Sequence, residues 1–285
     1  MSLPRNNTVK KLLVLIIVGL FVMNAFLFTL NIEPVQGATG VLNLKWSRGM
    51  GSNGRTDVGA LAANLDSDPQ LEIVATGGNL DYSGNNGIVY ALDGNTGATE
   101  WSRTFNGITP HTPVEIANLD QTGSLEIMVP NINAPMALRA DGTTYWQRAD
   151  VPCGNLYSAV CDVDGDGYPE IFINRHKGMN FGYDYDTMLS YDGTVLRQAW
   201  AWHSCWGGFA ISDTNFDGRF ELYQGDRSSA YSPATDPYKT GGNGLRAFDA
   251  LTLTPLWNVP DLLCSSQTPV LADVDKDGIL DVALK

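Results

Sequence analysis

One pattern of oxygen-bearing side chains recurs five times along the chain, with Asp, Asn or Thr at positions 1, 3 and 5 and an acid at position 9. The copies are Asn64, Asp66, Asp68 and Glu72; Asn118, Asp120, Thr122 and Glu126; Asp162, Asp164, Asp166 and Glu170; Asp213, Asn215, Asp217 and Glu221; and Asp273, Asp275, Asp277 and Asp281. Acids at every second residue scatter around a helix axis, so a tight loop must present them. Calcium takes about six to eight oxygen ligands in irregular geometry. The pattern therefore predicts up to five calcium loops, strongest at 162–170 and 273–281.

The loops differ from an EF-hand, which closes with a bidentate Glu at position 12. Position 12 of the third copy is Ile173, inside an apolar run, so the acid at position 9 is the expected closing ligand. The main-chain carbonyl of Tyr168, at position 7, is a further candidate ligand. Gly167, Gly218 and Gly278 stand at position 6 of their copies, where a glycine turns sharply without a steric cost. The second copy is the weakest, because Thr122 leaves it only two acids.

The charge of the chain excludes a nucleic-acid partner. The formal net charge is −13, and about half of the 31 acidic residues lie in the five loops. Binding to phosphates needs clustered Lys and Arg, and the sequence contains no such cluster.

Residues 1–39 are interpreted as a targeting segment. Arg5, Lys10 and Lys11 precede an apolar run over 12–30, and small residues at Val35 and Gly37 provide a cleavage site. The run is also long enough to span a bilayer uncleaved. Cleaved signal peptide and N-terminal membrane anchor both stay open. Either predicts a secreted or extracellular protein that meets a membrane only through this segment.

Four cysteines in an exported chain suggest disulfides, but the sequence selects no connectivity and does not exclude free thiols. Cys153, Cys205 and Cys264 precede their loops by similar distances. Cys161 directly precedes Asp162 and is interpreted as a small buried residue.

One acidic loop occurs in each unit of a longer repeat, which is typical of β-propellers. Their first ligands fall at 64, 118, 162, 213 and 273, and periods of this size with short strands indicate propeller blades. We predict units starting near 57, 112, 157, 207 and 267, whose first strands cover 58–63, 113–117, 158–161, 209–212 and 269–272. A second strand follows each loop. Asp93-Gly94, Asp141-Gly142 and Asp192-Gly193 then predict hairpins that complete four strands, A to D.

A tryptophan recurs on the last strand of each unit, at Trp101, Trp146, Trp200 and Trp257. We interpret it as packing between neighbouring sheets rather than as a stacking platform. Residues 41–48, with Trp46, are predicted to form a lone fourth strand. The fold class is therefore an all-β propeller with four full blades and a partial fifth. It is either a fragment of a longer propeller or an open array completed by a partner, because a missing strand leaves an unpaired edge.

Residues 40–285 resemble FG-GAP or VCBS repeats, the blades of the integrin α-subunit N-terminal propeller. The segment 162–173 carries the likeness to that family's calcium loop, although the Phe-Gly and Gly-Ala-Pro elements that name the family are not evident. Residues 90–101 also look like a blade of quinoprotein propellers, which we interpret as shared hairpin architecture and not as a quinone site. Propeller-type rhamnogalacturonan lyases are similar too. The resemblance implies calcium-stabilised blades and identifies no catalytic motif.

Connections A–B and C–D lie at one end of the blades, and B–C and D–A connections at the other. The second end is the predicted ligand face, since it carries the three histidines and the longest loops. Its candidate residues are His111, Arg175, His176, Lys177, His203, Trp206, Asp226, Arg227 and Tyr231.

Three functions stay open on the sequence. The favoured one is a non-catalytic binding, adhesion or scaffold module that recognises a glycan or a cell-surface protein. The alternative is a polysaccharide lyase of the rhamnogalacturonan type, which needs a base such as His or Lys beside a cation that neutralises the substrate carboxylate. The candidates for these roles are His176, Lys177, Arg175 and His203. The third is a transition-metal site formed by the histidines.

Overall fold

The computed structural model describes residues 44–49, 56–78, 86–151, 153–154, 157–174, 184–201, 208–226, 244–260 and 268–284. Apart from Leu44, all of them belong to one compact unit, Lys45–Lys285. No helix among them is long and apolar enough to cross a membrane. The segment 1–39, with its predicted targeting signal, lies outside the described residues.

The described elements are all strands, and they form four sheets of four strands and one of two. Blade 1 comprises β1 (Leu61–Ala63), β2 (Glu72–Gly77), β3 (Asn86–Asp93) and β4 (Thr99–Asn106); blade 2 comprises β5 (Glu115–Ala117), β6 (Glu126–Val129), β7 (Met136–Arg139) and β8 (Thr144–Gln147). Blade 3 comprises β9 (Ser158–Cys161), β10 (Glu170–Asn174), β11 (Asp184–Leu189) and β12 (Val195–Ala201); blade 4 comprises β13 (Phe209–Ser212), β14 (Glu221–Asp226), β15 (Gly244–Asp249) and β16 (Thr254–Pro260). The partial blade 5 comprises β17 (Val270–Ala272) and β18 (Asp281–Ala283).

Each of the four full blades is an antiparallel meander in chain order, A-B-C-D, and blade 5 contains the pair A-B. The predicted fold class, four full blades and a partial fifth in a propeller whose sheets are not closed, is confirmed. Three first strands begin later than predicted, at Leu61, Glu115 and Val270. Pro113 and Pro269 explain two of these, because proline cannot donate to the ladder.

The hydrophobic core lies between consecutive blades. Val74, Val89 and Ile127 belong to one buried cluster that joins blades 1 and 2, and two similar clusters join blades 2 to 3 and 3 to 4. The cluster next to blade 5 has only three buried members, Tyr223, Leu245 and Ala247. The burial of apolar side chains between neighbouring sheets thus holds consecutive blades together.

Three of the recurring tryptophans bind to the blade that follows them in the chain, a contact called here the tryptophan clamp. The indole Nε1 of Trp46 donates to Gly94 O at 3.0 Å, that of Trp101 to Ala140 O at 2.8 Å, and that of Trp146 to Tyr191 O at 2.8 Å. The predicted packing role is confirmed for these three. Trp46 docks in this way although residues 44–49 form no strand, contrary to the prediction for 41–48. The side chain of Trp200 is outside the described part.

An arginine two residues after the tryptophan supports each of these clamps, a feature that the sequence reading missed. Arg48 Nη1 donates to Gly97 O at 3.0 Å, Arg103 Nε to Gly142 O at 3.2 Å, and Arg148 Nη1 to Gly193 O. A Cβ on any of the three glycines would lie under 3.0 Å from the tryptophan ring. The last tryptophan, Trp257, is followed by Val259 instead, and it is 42% exposed.

The described cysteines are free thiols. Cys153 is buried, which raises its pKa. Cys161 is only half-buried and packs at the edge of the cluster between blades 3 and 4, so its interpretation as a buried residue was wrong in degree. Its pKa is raised to about 11, first by burial and then by the neighbouring carboxylates. Cys205 and Cys264 lie outside the described residues.

Candidate metal centre

All five acidic loops occupy the same place, between the first and second strands of a blade. Each begins on the residue after the first strand ends, and its position-9 acid is the first residue of the second strand. The position-9 acids are Glu72, Glu126, Glu170, Glu221 and Asp281. The strands therefore fix both ends of every loop, which gives the loops one common geometry.

The position-9 carboxylate accepts the backbone N–H of position 2 in every copy. The N···O distances are 2.5 Å for Leu65, 2.8 Å for Leu119, 3.0 Å for Val163, 2.9 Å for Thr214 and 2.9 Å for Val274. The four glutamates are buried, whereas Asp281 is exposed. One carboxylate oxygen thus closes the turn and leaves the other for the loop interior.

Two of those second oxygens lack a hydrogen bond. Glu72 Oε1 and Glu126 Oε1 are buried without a partner, and so is Asn118 Oδ1 at position 1 of the second loop. A buried anionic oxygen with no donor is costly unless a cation or a donor faces it. In these two loops the buried oxygens therefore favour a positive charge close by.

The position-1 aspartates preorganise three of the loops. Asp162 Oδ2 accepts Gly167 N at 3.0 Å, Asp213 Oδ2 accepts Gly218 N at 2.9 Å, and Asp273 Oδ2 accepts Gly278 N at 3.1 Å. The glycines at position 6 have φ values of +93°, +87° and +93°, as the turn requires. These hydrogen bonds fix the position-1 carboxylates relative to the turn at position 6.

In three of the loops the carboxylates converge. Oxygens of Asp162, Asp164 and Glu170 lie within 4.8 Å of one another, as do those of Asp273, Asp275 and Asp281. The third group unites Asp66 and Glu72 with Glu100, a residue of β4 that the sequence did not single out. Hard carboxylate oxygens are ligands that suit calcium, so these clusters could hold a metal ion.

The other two loops form no such convergent group among the described residues. The fourth loop keeps Asp213, Asn215, Asp217 and Glu221, but the hydroxyl of Thr214 also donates to Glu221 Oε2 at 2.6 Å. In the second loop a guanidinium approaches: Arg139 Nη1 lies 3.3 Å from Asp120 Oδ2 and 3.8 Å from Glu126 Oε1.

Burial and neighbouring carboxylates raise the pKa of acids in and beside the loops. Burial raises the pKa of Glu170, and the carboxylates of Asp164, Asp166 and Asp162 raise it further. Burial likewise raises the pKa of Glu100, with Glu72 as the next cause. A nearby cation would offset both effects, since it favours the charged form.

The predicted ligand face is only partly described. His111 Nδ1 lies 3.5 Å from Asp57 Oδ2, and both side chains are partly buried. Asp226 ends β14, and nothing further is described of its side chain. The other candidates lie outside the described residues: Arg175, His176, Lys177, His203, Trp206, Arg227 and Tyr231. The structure therefore does not test whether these groups come together.

Buried polar residues lie at that same end of blades 3 and 4. Asp186, Gln224 and Arg246 are 3%, 1% and 5% exposed. Gln224 Nε2 donates to Asp186 Oδ1 at 3.1 Å, which joins the two blades. All three stand near the strand ends from which the longest B–C loops leave.

Comparison with known proteins shows the fold and no closer relationship. No protein-family model matches the chain, and no curated protein matches its sequence. The europium-containing methanol dehydrogenase superposes with a TM-score of 0.57 at 13% identity, covering 85% of this chain and 49% of that chain. The quinohemoprotein alcohol dehydrogenase of Comamonas testosteroni gives 0.51 at 15% identity, covering 81% and 40%.

The biofilm matrix protein Bap1 of V. cholerae gives a TM-score of 0.49 at 16% identity, covering 78% of this chain and 43% of that chain. The chain thus spans about half or less of the length of these β-propeller-like proteins. At such identities the likeness supports the architecture alone.

Proposed function

We propose that this chain is an exported, calcium-binding β-propeller of the FG-GAP or VCBS type that binds a glycan or a cell-surface protein without catalysing a reaction. The carrying observation is the common placement of the acidic loops, which lie at the A–B end of every blade and close each turn through the position-9 acid, buried in four of the five loops. This placement supports a stabilising role for the loops and a recognition role for the opposite end.

The donor set supports calcium in the loops. Asp162, Asp164 and Glu170 offer converging hard oxygens, and Asp273, Asp275 and Asp281 do the same. When bound, calcium would neutralise clustered negative charge and link the loop to the start of the second strand. The protein's own contribution is a loop already held by hydrogen bonds from the glycines at position 6.

The opposite end supports recognition through its polar framework. Asp186, Gln224 and Arg246 are buried where the long B–C loops leave blades 3 and 4. Buried polar residues fix the orientation of the loops above them when they are hydrogen-bonded. Loops that are oriented in this way suit the recognition of a hydroxyl-rich glycan or of a protein surface.

Binding is tested with the exported chain on a glycan array and in a pulldown with cell-wall material. Retention of the chain on a glycan or on cell-wall material, with the glycan left unaltered, supports the proposal. The variant for comparison is Asp186→Ala, which removes a buried side chain at the recognition end and should reduce retention. Incubation with pectic polysaccharides tests catalysis. Release of unsaturated, ultraviolet-absorbing products that depends on His176 or His203 would replace the binding function with a lyase.

Export is tested by fractionating cells that express the full chain. Recovery in the medium or on the cell surface supports it, and the size of the recovered protein separates a cleaved signal from an anchor. Recovery in the cytoplasm alone would contradict it.

A further inference from the structure

The pairing of the last two strands contains a β-bulge at the same place in each full blade. In blade 1 the partners pass from Leu92↔Thr99 to Ala91↔Trp101, so Glu100 is the extra residue on β4. The same shift occurs in the other three full blades. It leaves Tyr145, Leu196 and Leu256 as the extra residues there. A bulge re-aims the extra side chain, and here it recurs at the end of the blade that carries the acidic loop.

In blade 1 the bulge residue is an acid that reaches the loop. An oxygen of Glu100 lies within 4.8 Å of oxygens of Asp66 and Glu72. Glu72 is fully buried, and its Oε1 has no hydrogen-bond partner. Three carboxylates, one of which has a buried oxygen without a hydrogen-bond partner, repel one another unless a cation lies between them.

In blade 2 a cation from the protein already reaches the loop. Arg139 pairs with Glu126 across β7 and β6, and its Nη1 lies 3.3 Å from Asp120 Oδ2 and 3.8 Å from Glu126 Oε1. The guanidinium also sits 4.4 Å from the ring centroid of Tyr145, the bulge residue of this blade. At the same register blades 1 and 4 carry Asp93 and Asp249, so a cation there is a feature of blade 2.

We propose that residues of the third and fourth strands select the cation of two loops: Glu100, on the fourth strand, completes a calcium site in blade 1, and Arg139, on the third strand, occupies the cation position in blade 2 and excludes calcium there. The inference rests on the proposed calcium loops and adds which of them bind. It also explains why Thr122 is tolerated at position 5 of the second loop. The cation of that loop is the guanidinium of Arg139, which is part of the chain, so the loop does not need a further carboxylate to bind it.

The first test counts calcium sites in the full chain by isothermal titration, with Glu100→Gln compared with the wild type. The variant should weaken one site by roughly tenfold or more, since affinity in oxygen-ligand sites follows the number of charged ligands. Asp150→Asn is the matched control. It removes an exposed carboxylate that pairs with Arg148, outside the loops, and should leave the titration unchanged.

The second test asks whether removing the guanidinium creates a site. Arg139→Ser should add one calcium site to the wild-type number, whereas Arg103→Ser, which removes a charge from the clamp, should not. Terbium reports the location, because an ion in the second loop would be sensitised by Tyr145. New luminescence in Arg139→Ser that is lost in the double variant with Tyr145→Phe supports the assignment.

The outcomes separate this inference from the function on which it rests. A wild-type chain that binds no calcium would overturn the calcium loops and this selection with them. Calcium binding that is the same in the wild type, Glu100→Gln and Arg139→Ser would overturn only the selection by the third and fourth strands. Near-ultraviolet circular dichroism checks that each variant is folded, and a misfolded Arg139→Ser is replaced by Arg139→Gln, for which the same gain is expected.

Discussion

At the scale of single residues, the acidic loops hold the main chain in the left-handed region at two positions. Position 6 is glycine in four loops, with φ between +87° and +93°. Position 4 is also left-handed in those loops, but three of its residues carry side chains: Gln121, Phe216 and Lys276. The sequence predicts the glycine positions, whereas position 4 gives no signal because its residue types share nothing.

The cost of that backbone can be measured at Gly218. A Cβ there would meet no atom within 4 Å, so Gly218→Ala tests the conformation alone. We expect the free energy of unfolding to fall by about 1–2 kcal/mol. Gly59, also in open space but without a left-handed φ, is the control, and Gly59→Ala should be neutral or slightly stabilising. Equal effects of the two substitutions in urea denaturation would refute the explanation.

Glu115 on β5 gives the chain a pH dependence. Burial raises its pKa to about 7 from the ordinary 4.5, so the folded state keeps a proton that the unfolded state has lost. Stability should therefore fall as the pH rises from about 4.5 through 7. Glu115→Gln removes this loss, and its stability relative to the wild type should be higher at pH 8 than at pH 4. A difference that does not change with pH would contradict the assignment.

At the scale of elements, the tryptophan clamp joins a fourth strand to the hairpin of the next blade. A Cβ at Gly142 would lie 2.7 Å from the ring of Trp101, and its φ is +77°. Gly142→Ala should therefore cost about 1–3 kcal/mol more than Gly218→Ala, because overpacking adds to the backbone strain. The double variant with Trp101→Ala should recover that excess. If the excess persists without the ring, the clamp is not its cause.

The strands and loops show which contacts a sequence can predict. The ligands of each loop lie within a few residues of one another, so their spacing alone predicts their convergence. Glu100 and Arg139 come from the fourth and third strands of their blades, so their positions depend on how the strands pair. Glu100 is the extra residue of a bulge, and Arg139 lies opposite Glu126 on the neighbouring strand. A shift of one residue moves a side chain to the other face, and the sequence marks neither the bulge nor the register, so both residues were missed.

At the scale of the whole molecule, consecutive blades share their cores while each carries its own acidic loop. The clusters between blades 1 and 2, 2 and 3, and 3 and 4 are continuous with the strands that the loops join. About half of the 31 acidic residues lie in these loops, where their mutual repulsion opposes folding unless cations are bound. Bound calcium should therefore stabilise the array as a unit rather than single loops.

Thermal melting of the full chain with calcium and with excess EDTA tests this account most directly. Each site saturated at 100 times its Kd adds about 2.7 kcal/mol, which raises the Tm by roughly 5–10 °C for a chain of this size. We expect a clear loss of Tm in EDTA that calcium restores and magnesium does not. A melting curve that is the same in calcium and in EDTA would contradict the central claim that the acidic loops are calcium sites.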